Sequence, residues 1–255
     1  MTKTKIEYLD YTWNPTHGCS PVGEGCRSCW AAAMSKRLAA IGVKGYDIKK
    51  PFKPTCHPDR LDEPLKIKKP SVIGVSFMGD LFHKDVPDSF IDDVGRTAKN
   101  CPQHIFIILT KRPQRMRDYF KKVAHKTAVN WPYEDLNMPN IWLGVSVEDQ
   151  PTADERIGEL LKVKAEVIVV SYEPALGNLL LPSEFLERGK QAWFIAGAET
   201  GPRRQECKLE WIRDVKNQCV EAGVPFFLKA LYEDGKKVSM PVLDGRQYME
   251  MPERR

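Results

Sequence analysis

From Ser71 onward, short continuous apolar runs alternate with longer segments in which apolar residues recur every three or four positions. The runs are Ser71–Phe77 (SVIGVSF), Ile105–Leu109 (IFIIL), Ile141–Val147 (IWLGVSV), Glu166–Ser171 (EVIVVS), Trp193–Ala196 (WFIA) and Pro225–Leu228 (PFFL). Their length and lack of polar alternation predict strands buried on both faces. Between them, Phe90, Ile91, Val94 and Ala98 mark a helix, and Met116, Tyr119 and Phe120 mark another over Pro113–Lys122. A third buries Ile157, Leu160 and Leu161 and opens on a capping-box pair, Thr152 and Glu155. A fourth, Leu209–Ala222, carries Ile212, Val215 and Cys219 on one face and is closed by Gly223. Strands alternating with helices predict an α/β fold with a parallel sheet. Six units plus a short strand in the opening segment, residues 1–17, suit a full or partial (β/α) TIM-like barrel.

The stretch before Ser71 follows a different pattern. WAAAMSKRLAAIG predicts a helix from Trp30, with Trp30, Ala33, Met34, Leu38 and Ile41 on one apolar face and Gly42 as its C-terminal cap. Residues 43–70 are rich in Lys and Pro, have no periodicity, and read as a connecting excursion that carries Cys56-His57-Pro58. At the other end, LDGRQYMEMP predicts a small hairpin around Asp244-Gly245. Residues 1–255 are expected to form one domain with a C-terminal extension from about residue 230.

Composition narrows the setting. A length of 255 residues suits an α/β barrel, and 42% hydrophobic with 29% charged residues is ordinary for a globular chain. No apolar run is long enough to span a membrane, and MTKTKIEYLD lacks an apolar signal region, so no membrane association and a cytoplasmic location are expected. Seven cysteines, an odd number, argue against a disulfide framework there. The net charge of +5 permits a nucleic-acid or phosphate partner without requiring one.

Three of the cysteines carry the chemistry. Gly18–Trp30, GCSPVGEGCRSCW, places Cys19, Cys26 and Cys29 at a Cys-x6-Cys-x2-Cys spacing in a loop made by Gly18, Pro21, Gly23 and Gly25. Three thiolates in a glycine-rich loop suit an iron–sulfur cluster with one metal position open. A structural zinc site is the competing reading, with His17, Cys56 or His57 as fourth ligand; three buried small hydrophobes are the plainest one. Cys101, Cys207 and Cys219 read as structural.

Ligands of parallel α/β folds bind at the C-terminal ends of the strands. Every predicted end is charged: Asp80 and His83; Lys111 and Arg112; Glu148 and Asp149; Glu173; Glu199, Arg203 and Arg204; and Lys229. The carboxylates suit an amine, a ribose or a metal, and the cations suit a carboxylate or phosphate. KRPQRMRDYFKK, residues 111–122, reads as a solvated helix face or as a nucleic-acid surface.

The order of motifs resembles a family. WNPTHGCSPVGEGCRSCWA, FMGDLFHKDVPD, LTKRPQRM, WLGVSVEDQPTADERI, SYEPALG, AGAETGPRRQ, NQCVEAGVPFFLK and LDGRQYMEMP resemble the phage gp thirty-seven / gp sixty-eight family of uncharacterised radical-SAM-like proteins. More widely the chain resembles radical S-adenosylmethionine (SAM) enzymes, whose three-cysteine loop follows the first barrel strand. That resemblance implies a 4Fe-4S cluster on Cys19, Cys26 and Cys29, SAM at its open iron, and an electron donor. It implies Gly79 and Asp80 near the SAM amino group; Ser146, Glu148 and Arg203, read from the strand ends, are the further candidate cofactor contacts. Glu173, Glu199 and Lys229 are the candidate catalytic groups, and a nucleic acid or nucleotide is the candidate substrate, in the manner of spore photoproduct lyase-like enzymes. The sequence departs from the radical-SAM pattern in its six-residue first gap, and in Ser28 before the last cysteine, where an aromatic residue is usual. The alternative is a non-catalytic metal-binding or nucleic-acid-binding phage-type accessory protein with a structural zinc or cluster site; a partner protein is a separate candidate in either case.

Overall fold

All six apolar runs are strands. A computed structural model describes residues 1–126, 138–200 and 204–253. In the N-terminal part lie β1 (Thr2–Lys3), β2 (Tyr11–Trp13), β3 (Thr16–His17), α1 (Trp30–Ala40) and β4 (Thr55–Cys56). The alternating part runs β5 (Val72–Val75), α2 (Asp88–Lys99), β6 (Ile105–Thr110), α3 (Pro113–Lys126), β7 (Ile141–Val147), α4 (Gln150–Leu160), β8 (Ile168–Tyr172), the single turn α5 (Ser183–Leu186), β9 (Ala192–Gly197), α6 (Leu209–Glu221) and β10 (Phe226–Glu233). Three short strands follow: β11 (Lys236–Ser239), β12 (Val242–Leu243) and β13 (Arg246–Gln247).

The sheet order is β1-β2-β5-β6-β7-β8-β9-β10-β11. The seven strands from β2 to β10 are parallel and lie in chain order. The two edge strands are antiparallel to their neighbours. A closed barrel does not form among the described residues. Each end of the parallel array meets a strand running the other way, so neither edge offers the parallel register that closure would need. The fold is therefore an open α/β fold with a large, mostly parallel sheet.

Chain-order winding puts the helices on one side. Ile91 and Val94 of α2, Met116 and Tyr119 of α3, Ile157 and Leu160 of α4, and Ile212 and Cys219 of α6 share one core with Ile73, Phe106, Leu143, Val170 and Phe194 of the strands. Alternate strand residues face the other way. Val72, Ile107, Trp142, Val169, Trp193, Ile195 and Phe227 pack there with Tyr8 and Leu9 from the opening segment. Tyr8 stands edge-on to Trp193 and Phe227, with ring centroids 5.4 and 5.6 Å apart. The opening segment thus plugs the helix-free face near the strands' N-terminal ends.

Two sequence expectations change. α4 begins at Gln150, and its N-cap is Asp149, whose Oδ1 accepts from the Thr152 amide at 3.0 Å while Thr152 Oγ1 accepts from the Asp149 amide at 3.1 Å. The capping box is real but shifted three residues upstream of the Thr152–Glu155 pair, because Asp is as good a cap as Thr. In α1 the expected apolar face is the outer one. Ala31, Ser35 and Ala39 are buried, whereas Trp30 (46% exposed), Met34 and Ile41 (75%) face outward. Gly42 closes the helix with φ +73°, as expected. The hairpin at Asp244-Gly245 forms with both residues at positive φ, and a second Asp-Gly turn, Asp234-Gly235, joins β10 to β11. β10 runs through residue 230, where the extension was expected to start. No helix among the described residues is long and apolar enough to cross a membrane.

Candidate functional site

Strand parity builds a polar layer above the aromatic plug. Ser146 follows Trp142 and Gly144 on the helix-free side of β7; Ser171 follows Val169 on β8; Gly197 follows Trp193 and Ile195 on β9. Ser146 and Ser171 lie in register. Lys229 sits where the β9–β10 register slips, between Leu228 and Ala230. Its ammonium pairs with Glu173 Oε2, and it lies 5.9 Å from the centre of the Tyr8 ring. Ser171 Oγ donates to Glu173 Oε1 at 3.4 Å. The Glu173 side chain packs over Gly197, where a Cβ would stand 3.4 Å from Glu173 Cγ, in ordinary contact. Burial first, and then the charge of Glu173, push the Tyr8 phenol well above its usual range. Glu173, Lys229, Ser171 and Tyr8 therefore form one nearly buried group. Glu199 is buried at the end of β9, and its Oε2 accepts from the Gln205 amide at 2.7 Å. Arg203 lies outside the described residues.

The cysteine loop rests on the C-terminal rim. Its start is tied to the loop after β5: the Gly18 amide donates to the Met78 carbonyl at 2.9 Å, and Gly18 bridges Gly79 in parallel fashion. A Cβ on Gly79 would meet the Gly18 carbonyl oxygen at 2.6 Å, so glycine is required at 79 for this approach. Asp80, buried, is fully engaged. Oδ1 accepts from Thr110 Oγ1 at 2.8 Å and the Phe82 amide at 2.9 Å, and Oδ2 accepts from Arg112 at 2.9 Å. Arg112 turns that anchor toward the loop. It donates to Cys19 Sγ at 3.1 Å, to the Ser20 carbonyl at 2.7 Å and to Ser20 Oγ at 3.1 Å. Ser20 Oγ shares a 2.8 Å hydrogen bond with His83 Nε2.

A second ion cluster lies under the middle of the loop. Glu148, 2% exposed, sits between Lys111 and Arg156, with Arg156 donating to Oε2 at 2.8 Å and to the Ser146 carbonyl at 2.6 Å. A Cβ on Gly25 would come within 2.5 Å of Glu148, so the loop backbone lies directly against that carboxylate. Arg156, Ser20 and Tyr8 were not singled out from the sequence. Arg156 had left a signal, a cation on the apolar stripe of Ala153, Ile157 and Leu160.

Cys19, Cys26 and Cys29 are free thiols, each partly exposed. Burial, with Asp80 next, pushes the Cys19 thiol up to about 11 against the pull of Arg112. Among the described residues no three His, Cys, Asp or Glu side chains already stand as a metal-holding group. The donor set still suits a thiophilic centre: three unpaired thiols in one loop, one of them already taking a cationic hydrogen bond at sulfur. His17 and His57, both buried, are bonded to each other at 2.7 Å, Nδ1 to Nε2, in the β3–β4 ribbon. Each imidazole nitrogen so engaged is withdrawn from a fourth-ligand role for zinc. Cys56 lies opposite Thr16 in the same ribbon. Cys101 and Cys219 are fully buried, as a structural role requires.

The chain belongs to the DUF5131 family, described as a protein of unknown function, which it matches over residues 3–252. No curated protein matches it. A solved structure, "Spore photoproduct lyase complexed with dinucleoside spore photoproduct", is similar in fold at TM-score 0.50 and 10% identity, over 89% of this chain and 79% of that one.

Proposed function

We propose that this protein is an iron–sulfur enzyme of the radical-SAM type, built on a partial (β/α) barrel and acting on a nucleotide or nucleic acid. The observation that carries the reading is the placement of three free, part-exposed thiols in one loop on the C-terminal rim of a parallel sheet, over a nearly buried polar layer. The fold similarity to a lyase solved with a dinucleoside photoproduct supports the substrate class. We place the chain with the phage gp thirty-seven / gp sixty-eight proteins on the motifs quoted above.

In this reading Cys19, Cys26 and Cys29 would hold a 4Fe-4S cluster, which together with SAM would supply a substrate-activating radical. Arg112 fixes the Cys19 sulfur and the turn after it. Asp80 and Glu148 act through the cations they hold, since their oxygens are engaged by Arg112, and by Lys111 and Arg156. The Ser146 hydroxyl would be left to contact SAM, whereas the Gly79 amide is spent on the Ser76 carbonyl and the residue packs against Gly18, so Gly79 serves to seat the loop. Glu173 and Lys229 keep an ion pair beneath the substrate, where a proton can be held or delivered out of bulk water. Glu199 lies at the next strand end for substrate polar groups.

The test is anaerobic purification with iron and sulfide analysis, followed by reduction in the presence of SAM. We expect a brown protein with about four irons per chain, and release of 5′-deoxyadenosine that Cys26→Ala abolishes. A colourless, zinc-loaded protein, or iron binding that survives loss of all three thiols, overturns the proposal.

A further inference from the structure

α1 is turned inside out. It rests on the protein through small residues, Ala31, Ser35 and Ala39, and presents its large ones to solvent. At 100° per residue Trp30, Met34, Arg37 and Ile41 form one outward stripe. Ile48, 71% exposed, lies in the segment that follows, and Val22, 45% exposed, on the cysteine loop. Isolated exposed apolar residues need no explanation, but a group of them on one helix and its flanks does.

Charge is concentrated on the same stretch. Residues 27–53 contain seven Lys and Arg against one acidic residue, a net +6, so the rest of the +5 chain sums to −1. All seven cations are exposed. Among the described residues, Lys36, Arg37, Lys44, Lys49, Lys50 and Lys53 make no ion pair, and only Arg27 does, with exposed Glu24. On the rim, by contrast, Lys111, Arg112 and Arg156 are held by carboxylates.

We infer that α1 and residues 43–53 are the docking surface for a small acidic one-electron carrier protein. An apolar centre ringed by unpaired cations complements a protein surface with an apolar centre and acidic rim. Nucleic acid would answer the cations but offers no aliphatic surface to Met34, Ile41 and Ile48. Location decides what such a partner does there. Trp30 is bonded directly to Cys29, so a protein seated on the stripe lies against the thiol loop. This step rests on the reading of that loop as a redox centre. One electron leaves the carrier, whose reduced cofactor is oxidised by one equivalent, and enters the centre held by Cys19, Cys26 and Cys29, which is reduced by one; no bond forms or breaks. Small transient interfaces are the rule for such encounters.

The experiment has two arms. In the first, the metal-free chain is titrated with an acidic flavodoxin, a 20-nucleotide single strand and phosphatidylserine vesicles. Flavodoxin is expected to bind in the micromolar range, at least tenfold more weakly in 0.5 M salt and at least tenfold more weakly to K36E/R37E/K49E/K50E. Met34→Ser with Ile41→Ser weakens binding with the salt slope unchanged. Binding of the oligonucleotide or vesicles through these residues, with none of flavodoxin, overturns the proposal. In the second arm, the iron-loaded protein is reduced by dithionite or by flavodoxin hydroquinone. Dithionite is expected to reduce wild type and the charge-reversed variant equally, and flavodoxin to reduce the variant at least tenfold more slowly. Equal rates with flavodoxin overturn the surface assignment. Failure to bind iron instead defeats the radical-SAM reading, while the first arm still decides the surface.

Discussion

Two stretches of this chain are dense in Lys and Arg, and they behave as opposites. Residues 111–122 carry six, and five are paired: Lys111 with Glu148, Arg112 with Asp80, Arg115 and Lys122 with Asp88, and Arg117 with Asp118 and Glu159. Residues 27–53 carry seven, and six have no partner among the described residues. The first stretch was the sequence's candidate nucleic-acid surface. Its charge is spent within the molecule, tying α3 to the loops after β5 and β7 and to α4. A count of basic residues therefore does not locate an electrostatic surface. What locates it is whether carboxylates from other elements meet them.

The contrast breaks most sharply at Glu148. Its side chain is 2% exposed and that of Arg156 is 4% exposed. Replacing Glu148 by Gln keeps the shape but leaves Arg156 buried without its countercharge. Removing one partner of a buried pair costs about 3–5 kcal/mol, and urea denaturation should show a loss in that range. A loss under about 1 kcal/mol would mean that water reaches the pair and that the rim is more open than its burial implies.

Asp80→Asn comes next. The amide can still accept from Thr110, but the charge opposite Arg112 is gone, and with it the anchor for Cys19 and Ser20. The stability loss should be near 2 kcal/mol, the scale for a charged hydrogen bond. The more telling readout is local: trypsin should cut at Arg27 faster than in wild type while the sheet core resists. Unchanged cleavage would show that Gly18 and Gly79 alone hold the loop.

Most of the framework was legible because burial on both faces leaves a continuous apolar run, as IFIIL and IWLGVSV show. The strand-end residues were legible for the same reason: period two carries Trp142 to Ser146 and Val169 to Ser171 on one side. Barrel closure was not legible, since the two reversing edge strands are only two and four residues long. The direction of α1 was misread because its buried face is made of Ala and Ser, which carry little apolar signal, while its apolar signal points outward. The partners of Asp80 and Glu148 were out of reach as well. They join residues 32, 37 and 8 positions apart, a matter of tertiary contact rather than local pattern.

Asp88 gives a smaller effect with a clear pH sign. Burial acts to raise its carboxyl, but hydrogen bonds from Arg115 and Lys122 outweigh it and hold the group below its ordinary 3.8. A carboxylate whose folded pKa is depressed contributes its stability in full above the unfolded value and loses it as pH falls through the folded one. Asp88→Asn should therefore destabilise the protein at pH 7, and the difference between the two proteins should shrink as pH falls below the ordinary 3.8. Parallel denaturation curves for the two proteins from pH 7 to pH 3 would contradict the assignment.

The least effect on folding should come from the open stretch, and that is what separates it from α3. Among the described residues the side-chain charges of Lys36, Arg37, Lys49 and Lys50 pair with no carboxylate, and the bond Lys49 makes to Asp47 is through its backbone amide, so replacing all four with Gln removes no ion pair. Substitutions at exposed sites free of such contacts usually change stability by less than about 0.5 kcal/mol each. Here the sign should be favourable, because the wild-type cations repel one another. Added salt screens exposed charges, with a Debye length of about 3 Å at 1 M. The wild-type melting temperature should therefore gain more than the variant's between 0.05 and 0.5 M salt. A variant that loses stability instead, by as much as Asp80→Asn, would mean that these four cations support the fold, and the difference between the two basic stretches would then be one of degree only.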